Sequence, residues 1–235
     1  MFKKNKNKKI SQLEVSNRPK SIISEQFRTL RTNILFTSSD KKLSKIMITS
    51  SEPGEGKSTV SANVAIAFAQ AGYKTILIDA DMRKPTQHKI FSLTNSAGLS
   101  NLIAGRMGLN DVLKDTGIEN LHLLTSGPVP PNPAELLGSM SMLKNINELE
   151  KITDMIIIDI SPVLAVTDSK IIGNIVDGCL LVVNAQRASK EKVITAKNEL
   201  LKSECNILGV ALNELSNNDS DSNYYYYGEK SNDSL

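Results

Sequence analysis

No tryptophan occurs among the 235 residues, aromatic residues make up 4%, and there are only two histidines and two cysteines. Each scarcity closes off a class of protein. Two thiols, Cys179 and Cys205, are too few for a disulfide framework, and no His or Cys neighbour gives them metal-ligand spacing. They read as reduced core thiols. No apolar run approaches the ~20 residues that cross a bilayer as a helix. The stretch from Ile10 to Asn17 behind the basic start alternates polar with apolar residues and supplies no signal-peptide core, so a cytosolic protein is expected. A net excess of positive charge is absent outside one segment: the net charge is +3, but five lysines and no acid fall in the first nine residues, leaving −2 for the rest. A basic nucleic-acid-binding domain is not indicated, and no nucleic-acid partner is expected.

What is present is an ordinary globular composition, 40% hydrophobic and 23% charged, at a length that suits one large α/β domain. Apolar runs at 45–49, 75–79, 121–125, 155–159, 179–184 and 207–212 alternate with helical patterns. Runs with no polar alternation suit strands buried on both faces of a parallel sheet, and the helices between them supply the crossovers. The expected fold is a doubly wound, mostly parallel α/β sheet. Ahead of it, Ile22, Ile23, Phe27, Leu30, Ile34 and Leu35 recur at helical spacing, predicting an amphipathic helix over 21–36 whose other face carries Glu25, Arg28 and Arg31. Asn132 is placed to cap a helix opening with Pro133. The predicted organisation is a mobile basic arm at 1–20, a domain at 21–215, and a disordered tail at 216–235 in which Tyr224, Tyr225, Tyr226 and Tyr227 sit among Asn, Asp and Ser.

Three strand ends carry chemistry. After the first strand comes Ser51-Glu52-Pro53-Gly54-Glu55-Gly56-Lys57-Ser58-Thr59, with a helix beginning near Lys57. In a strand, glycine loop and helix in this order, backbone N–H groups and the positive helix end cradle phosphate oxygens. Lys57 would reach the β and γ phosphates and Ser58 would hold Mg²⁺. As a loop lysine, Lys57 is expected to supply charge and no packing. Ser51 fills the first glycine position of G-x-x-x-x-G-K-[ST], a departure from the pattern. The second strand ends in Asp79-Ala80-Asp81-Met82-Arg83 and the fourth in Asp159-Ile160-Ser161-Pro162. Ligands of parallel sheets sit at the carboxyl ends of strands, so Asp79, Asp81 and Asp159 should converge on the phosphate site. Taken singly, each could be a strand-end aspartate in a turn.

Together, the loop at 51–58, I-L-I-D-A-D-M-R at 76–83 and I-I-I-D at 156–159 resemble the Walker A, A′ and B motifs of bacterial tyrosine kinases, a deviant branch of the P-loop NTPases that also holds the ParA- and MinD-like ATPases. Glu25-x-x-Arg28-x-x-Arg31 resembles that family's subunit-contact motif, Tyr224 to Tyr227 its autophosphorylated tail, and the Pro-rich segment at 127–137 is also similar. The likeness runs from about Arg18 onward. It implies an ATP- and Mg²⁺-dependent protein-tyrosine kinase of capsule or exopolysaccharide export, acting in trans within a homo-oligomeric ring, an octamer by that resemblance. Lys57, Asp79 and Asp81 would be catalytic, with Asp79 handling the phenol proton. Pro53 to Thr59 and Asn213 would contact the nucleotide, Asn213 at the adenine, and Ser58, Asp81 and Asp159 would hold the metal. Arg83 or Lys84 could further neutralise charge. Ser161 stands where the family more often has a proline, in D-x-P-P. With no membrane-spanning half in front, the chain resembles the split form, whose activator is the cytosolic segment of a separate membrane protein that recruits it to the membrane's inner face. Polysaccharide-biosynthesis enzymes are further expected substrates. The competing reading is a switch ATPase, which characteristically carries a lysine where this chain has Glu52.

Overall fold

The computed structural model describes residues 12–37 and 43–215. The tail at 216–235, with Tyr224 to Tyr227, and the first eleven residues of the arm lie outside the described residues. The chain runs α1 (Glu14–Asn17), α2 (Ile22–Phe36), β1 (Lys45–Ser50), α3 (Lys57–Gln70), β2 (Thr75–Asp79), α4 (Gln87–Ile90), α5 (Leu99–Ile103), α6 (Leu109–Val112) and β3 (Leu113–Asp115). It continues through β4 (Leu121–Leu124), α7 (Pro133–Leu137), α8 (Met140–Glu150), β5 (Met155–Asp159), α9 (Asp168–Gly173), β6 (Gly178–Asn184), α10 (Lys190–Lys202) and β7 (Ile207–Asn213).

The strands form one seven-stranded sheet in the order β3-β4-β2-β5-β1-β6-β7. Every neighbouring pair is parallel except β3 with β4. The expected doubly wound sheet is what forms, with an unforeseen antiparallel edge strand. Successive residues of a strand face opposite sides, and the central strands feed two cores accordingly. Ile76, Ile78, Ile156 and Ile158 join Met142 and Leu149 of α8 on one side. Leu77, Ile157, Ile46 and Ile48 join Val64 and Phe68 of α3 on the other. Phe68 also meets Tyr73 edge to face, with ring centroids 5.5 Å apart. That burial on both faces explains why the central strands show no polar alternation; β7, expected to be buried likewise, lies at the edge with Val210 and Leu212 exposed. Among the described residues no helix is long and apolar enough to cross a membrane.

Helix α2 begins where expected, because the Ser21 side chain accepts from the Ser24 N–H at 3.1 Å. Asn132 does precede α7, but its amide donates to Glu135 Oε2 at 3.0 Å instead of capping the helix. The arm predicted over 1–20 is corrected for its described part. Val15 is fully buried, and its N–H donates to Asn63 Oδ1 of α3 at 2.9 Å. The Asn63 amide in turn donates to the Gln12 carbonyl at 2.9 Å. A four-residue helix is too short to show periodicity, and one buried valine among polar residues gives no pattern to read.

Candidate active site

Strand β1 lies between β5 and β6, and the chain departs from it in one direction and returns on the other side. In open α/β sheets a crevice for ligands opens at such a reversal, beyond the carboxyl ends of the strands. Register does the next step. Asp79 of β2 lies directly opposite Asp159 of β5, and Asp159 directly opposite Ile48 of β1. Two carboxylates therefore end neighbouring strands beside the loop that leaves β1.

That loop is braced from within. Gly54 and Gly56 take φ of 87° and 90°, left-handed values that a side chain would resist. A Cβ on Gly56 would also stand 2.1 Å from Asn213 Nδ2. Ser51, at the position of the missing first glycine, donates to the Glu55 carboxylate at 2.7 Å, and the Glu52 N–H donates to the same group at 2.9 Å. The Glu55 side chain is thereby turned back into the loop, so what residue 55 offers a ligand is backbone. Asn213 also braces: its amide donates to the Glu55 carbonyl at 3.0 Å.

Lys57 is not the solvated loop lysine expected from sequence. It is 9% exposed, and its ammonium lies 2.9 Å from Asp81 Oδ2, 3.2 Å from Asp159 Oδ1 and 3.1 Å from Ser58 Oγ. Burial alone would pull its pKa down, but Asp159 and Asp81 outweigh burial and raise it. One cation thus touches all three oxygens assigned to the metal. These hard oxygen donors fit Mg²⁺, which takes one or two carboxylates and leaves the rest of its shell to phosphate and water. No cage of three or more His, Cys, Asp or Glu side chains exists among the described residues.

Asp79 has a different environment. Its Oδ2 accepts from the backbone N–H groups of Thr86 and Gln87 at 3.0 and 2.9 Å, while Oδ1 is buried with no hydrogen-bond partner. Burial first, and the charge of Asp159 second, push its pKa up to about 8 against the pull of those N–H groups and Lys57. A carboxyl held near neutrality with one open oxygen is chemically equipped to exchange a proton.

The structure brings Lys57, Ser58, Asp79, Asp81 and Asp159 together as predicted from sequence. It adds Gln87, whose fully buried amide donates to Asp159 Oδ2 at 2.8 Å and to the Ser58 carbonyl at 2.9 Å. A lone glutamine eight residues beyond a strand end carries no motif, and only the folded loop reveals it. Arg83 is occupied elsewhere, in a two-pronged pair with buried Asp168 at 3.0 and 3.1 Å. The expected contact face of α2 is only partly free. Glu25 and Arg28 pair with each other, but Arg31 donates to the Ala67 carbonyl of α3 at 2.9 Å within the same chain. Glu52, where switch ATPases carry a lysine, pairs with Lys192 of α10 at 2.6 Å.

Comparison with known proteins agrees with this geometry. The AAA domain family matches residues 43–207. The putative tyrosine-protein kinase CapB of Staphylococcus aureus is 47% identical over 220 residues, spanning 94% of this chain and 96% of its own. Among solved structures, the chimerical protein CapA2B2 superposes with a TM-score of 0.86 at 44% identity, covering 88% of this chain and 91% of the other. The septum site-determining protein MinD of Pyrococcus horikoshii, complexed with Mg-ADP, shares the fold at a TM-score of 0.62 and 25% identity, over 72% of this chain and 69% of its own. The likeness is deeper to CapB and CapA2B2 than to MinD, and the chain belongs to the bacterial tyrosine-protein kinase family.

Proposed function

We propose that this kinase moves the γ-phosphoryl group of ATP onto tyrosines of a neighbouring copy, chiefly Tyr224 to Tyr227, and so regulates capsular or exopolysaccharide synthesis and export. The observation that carries the reading is the Lys57 ammonium set against Ser58, Asp81 and Asp159, one buried cation position at the mouth of a phosphate-binding loop.

In the reaction, the loop N–H groups at the start of α3 and the Lys57 ammonium bind phosphate oxygens and stabilise charge on the transferred group. Mg²⁺, held by Ser58 with Asp81 and Asp159, would neutralise the β and γ phosphates when bound. The tyrosine oxygen forms the new bond to γ-phosphorus as the bond to the β-phosphate oxygen breaks, ADP leaves, and the phenol proton passes to Asp79. In the ligand-free chain Asp79 is held up to about 8 partly by Asp159. Offsetting the charge of Asp159 favours the ionised form of Asp79 that accepts a proton. Asn213, at the end of β7 with its amide donating to the Glu55 carbonyl of the loop, is assigned the adenine contact on the family resemblance.

Glu25, Arg28 and Arg31 are assigned to a head-to-tail ring, and the cytosolic segment of a separate membrane protein is assigned as the activator. Both assignments rest on the family resemblance. Polysaccharide-biosynthesis enzymes are further substrates on the same ground. The experiment is mass spectrometry of the chain with and without ATP and Mg²⁺, alongside Lys57→Met. Phosphate mapped to Tyr224 to Tyr227 in the parent and lost in the variant supports the assignment, and unchanged incorporation in the variant rejects it.

A further inference from the structure

Ser161 stands two residues past Asp159 and is 2% exposed. Its carbonyl accepts from Thr49 Oγ1 of β1 at 2.9 Å, which fixes its backbone. Its hydroxyl lies 2.8 Å from Asp81 Oδ1 and 3.4 Å from Asp168 Oδ2. A hydroxyl has one proton, and ionised carboxylates only accept. Arg83 Nε already donates to Asp168 Oδ2 at 3.0 Å, so the shorter contact, to Asp81, takes the Ser161 proton. Asp81 Oδ1 accepts a second bond from the Lys84 N–H at 3.1 Å. One oxygen of Asp81 is therefore tied down by two donors, and the other, Oδ2, is left facing the Lys57 ammonium at 2.9 Å.

We propose that Ser161 is a positioning residue for the phosphoryl-transfer site: its hydroxyl sets the rotation of the Asp81 carboxylate so that Oδ2 faces the cation position. The Arg83–Asp168 pair backs the arrangement by occupying the acceptor that competes for the hydroxyl proton. Proline, the residue more frequent here in the resembling D-x-P-P pattern, has no side-chain donor, so this chain holds Asp81 by a contact which that pattern cannot make. Fixing a metal-side carboxylate through a neighbouring hydrogen bond raises cation affinity without touching the nucleotide. The inference rests on the reading of Ser58, Asp81 and Asp159 as the cation's oxygens.

The test uses the full chain with ADP, and Mn²⁺ as the probe, its binding read by electron paramagnetic resonance. Ser161→Ala is expected to weaken Mn²⁺ binding about tenfold while leaving the affinity for ADP in the absence of metal unchanged, a split that a general loss of packing would not give. Ser161→Pro, which also lacks the donor, supplies the same comparison if the alanine variant folds poorly. Mn²⁺ affinity equal to the parent's in a folded variant overturns the role of Ser161. Failure of the parent chain to bind Mn²⁺ with ADP overturns the reading of the site, and this inference with it.

Discussion

Asp79 and Lys57 are where burial changes what a residue does. With the Asp79 carboxyl raised from 3.8 to about 8, the folded chain keeps a proton that the unfolded chain has released. Folding stability attributable to this group therefore falls as pH climbs through that window and is level below 3.8 and above 8. Asp79→Asn retains an acceptor for the Thr86 and Gln87 N–H groups and removes the ionisation. Urea unfolding of the ligand-free variant should show it more stable than the parent at pH 8 by more than about 1 kcal/mol, with the difference vanishing near pH 4 and tyrosine phosphorylation down at least ~100-fold. Parallel stability curves would contradict the assignment. Lys57→Met should abolish transfer and also cost about 3 kcal/mol of ligand-free stability at neutral pH, because Asp81 and Asp159 lose their partner. Denaturant titrations of the variant and the parent at neutral pH check it. Lys57, Ser58 and the three aspartates were legible in the sequence because each ends an apolar strand or follows a glycine loop. The burial of Lys57 and the part played by Gln87 were not, since both depend on how the loop after β2 folds back on α3.

At the level of elements, α2 was legible because its apolar spacing and the Ser21 cap agree, and the five interior strands and the edge strand β7 were legible as unbroken apolar runs. Helix α1 and strand β3 were not: four and three residues long, they lie below the length at which a period can be seen. The polar face of α2 is divided. The Arg31 guanidinium tethers α2 to α3 through the Ala67 carbonyl at 2.9 Å, whereas the Glu25 carboxylate is mostly solvent-exposed. Arg31→Ala should lower stability by about 1–2 kcal/mol as well as weaken assembly. Glu25→Ala should leave stability within ~0.5 kcal/mol, so that any drop in oligomer mass reports the subunit contact alone. Thermal unfolding and light scattering on the two variants separate tether from interface, and an assembly unaffected by Glu25→Ala and Arg28→Ala together would reject the contact.

Across the whole molecule, the phosphate loop is tied to the edge strand β7 by Asn213 at 3.0 Å and to α10 by the Glu52–Lys192 pair at 2.6 Å. The last strand, which leads into the tyrosine-bearing segment, thus ends against the nucleotide loop. Tyr224 begins eleven residues past Asn213, so the chain's own site and that of an adjacent copy are the two alternatives, and the proposed function requires the second. The most direct measurement mixes two defective chains, one carrying Lys57→Met with its four tail tyrosines intact, the other an intact site with all four tyrosines changed to Phe. After incubation with ATP and Mg²⁺, mass spectrometry reads the tail of each. Transfer between copies predicts phosphotyrosine on the Lys57→Met chain, at a rate that rises with the concentration of its partner. An unmodified tail on that chain, when both proteins are folded and the parent modifies itself under the same conditions, would contradict transfer between copies.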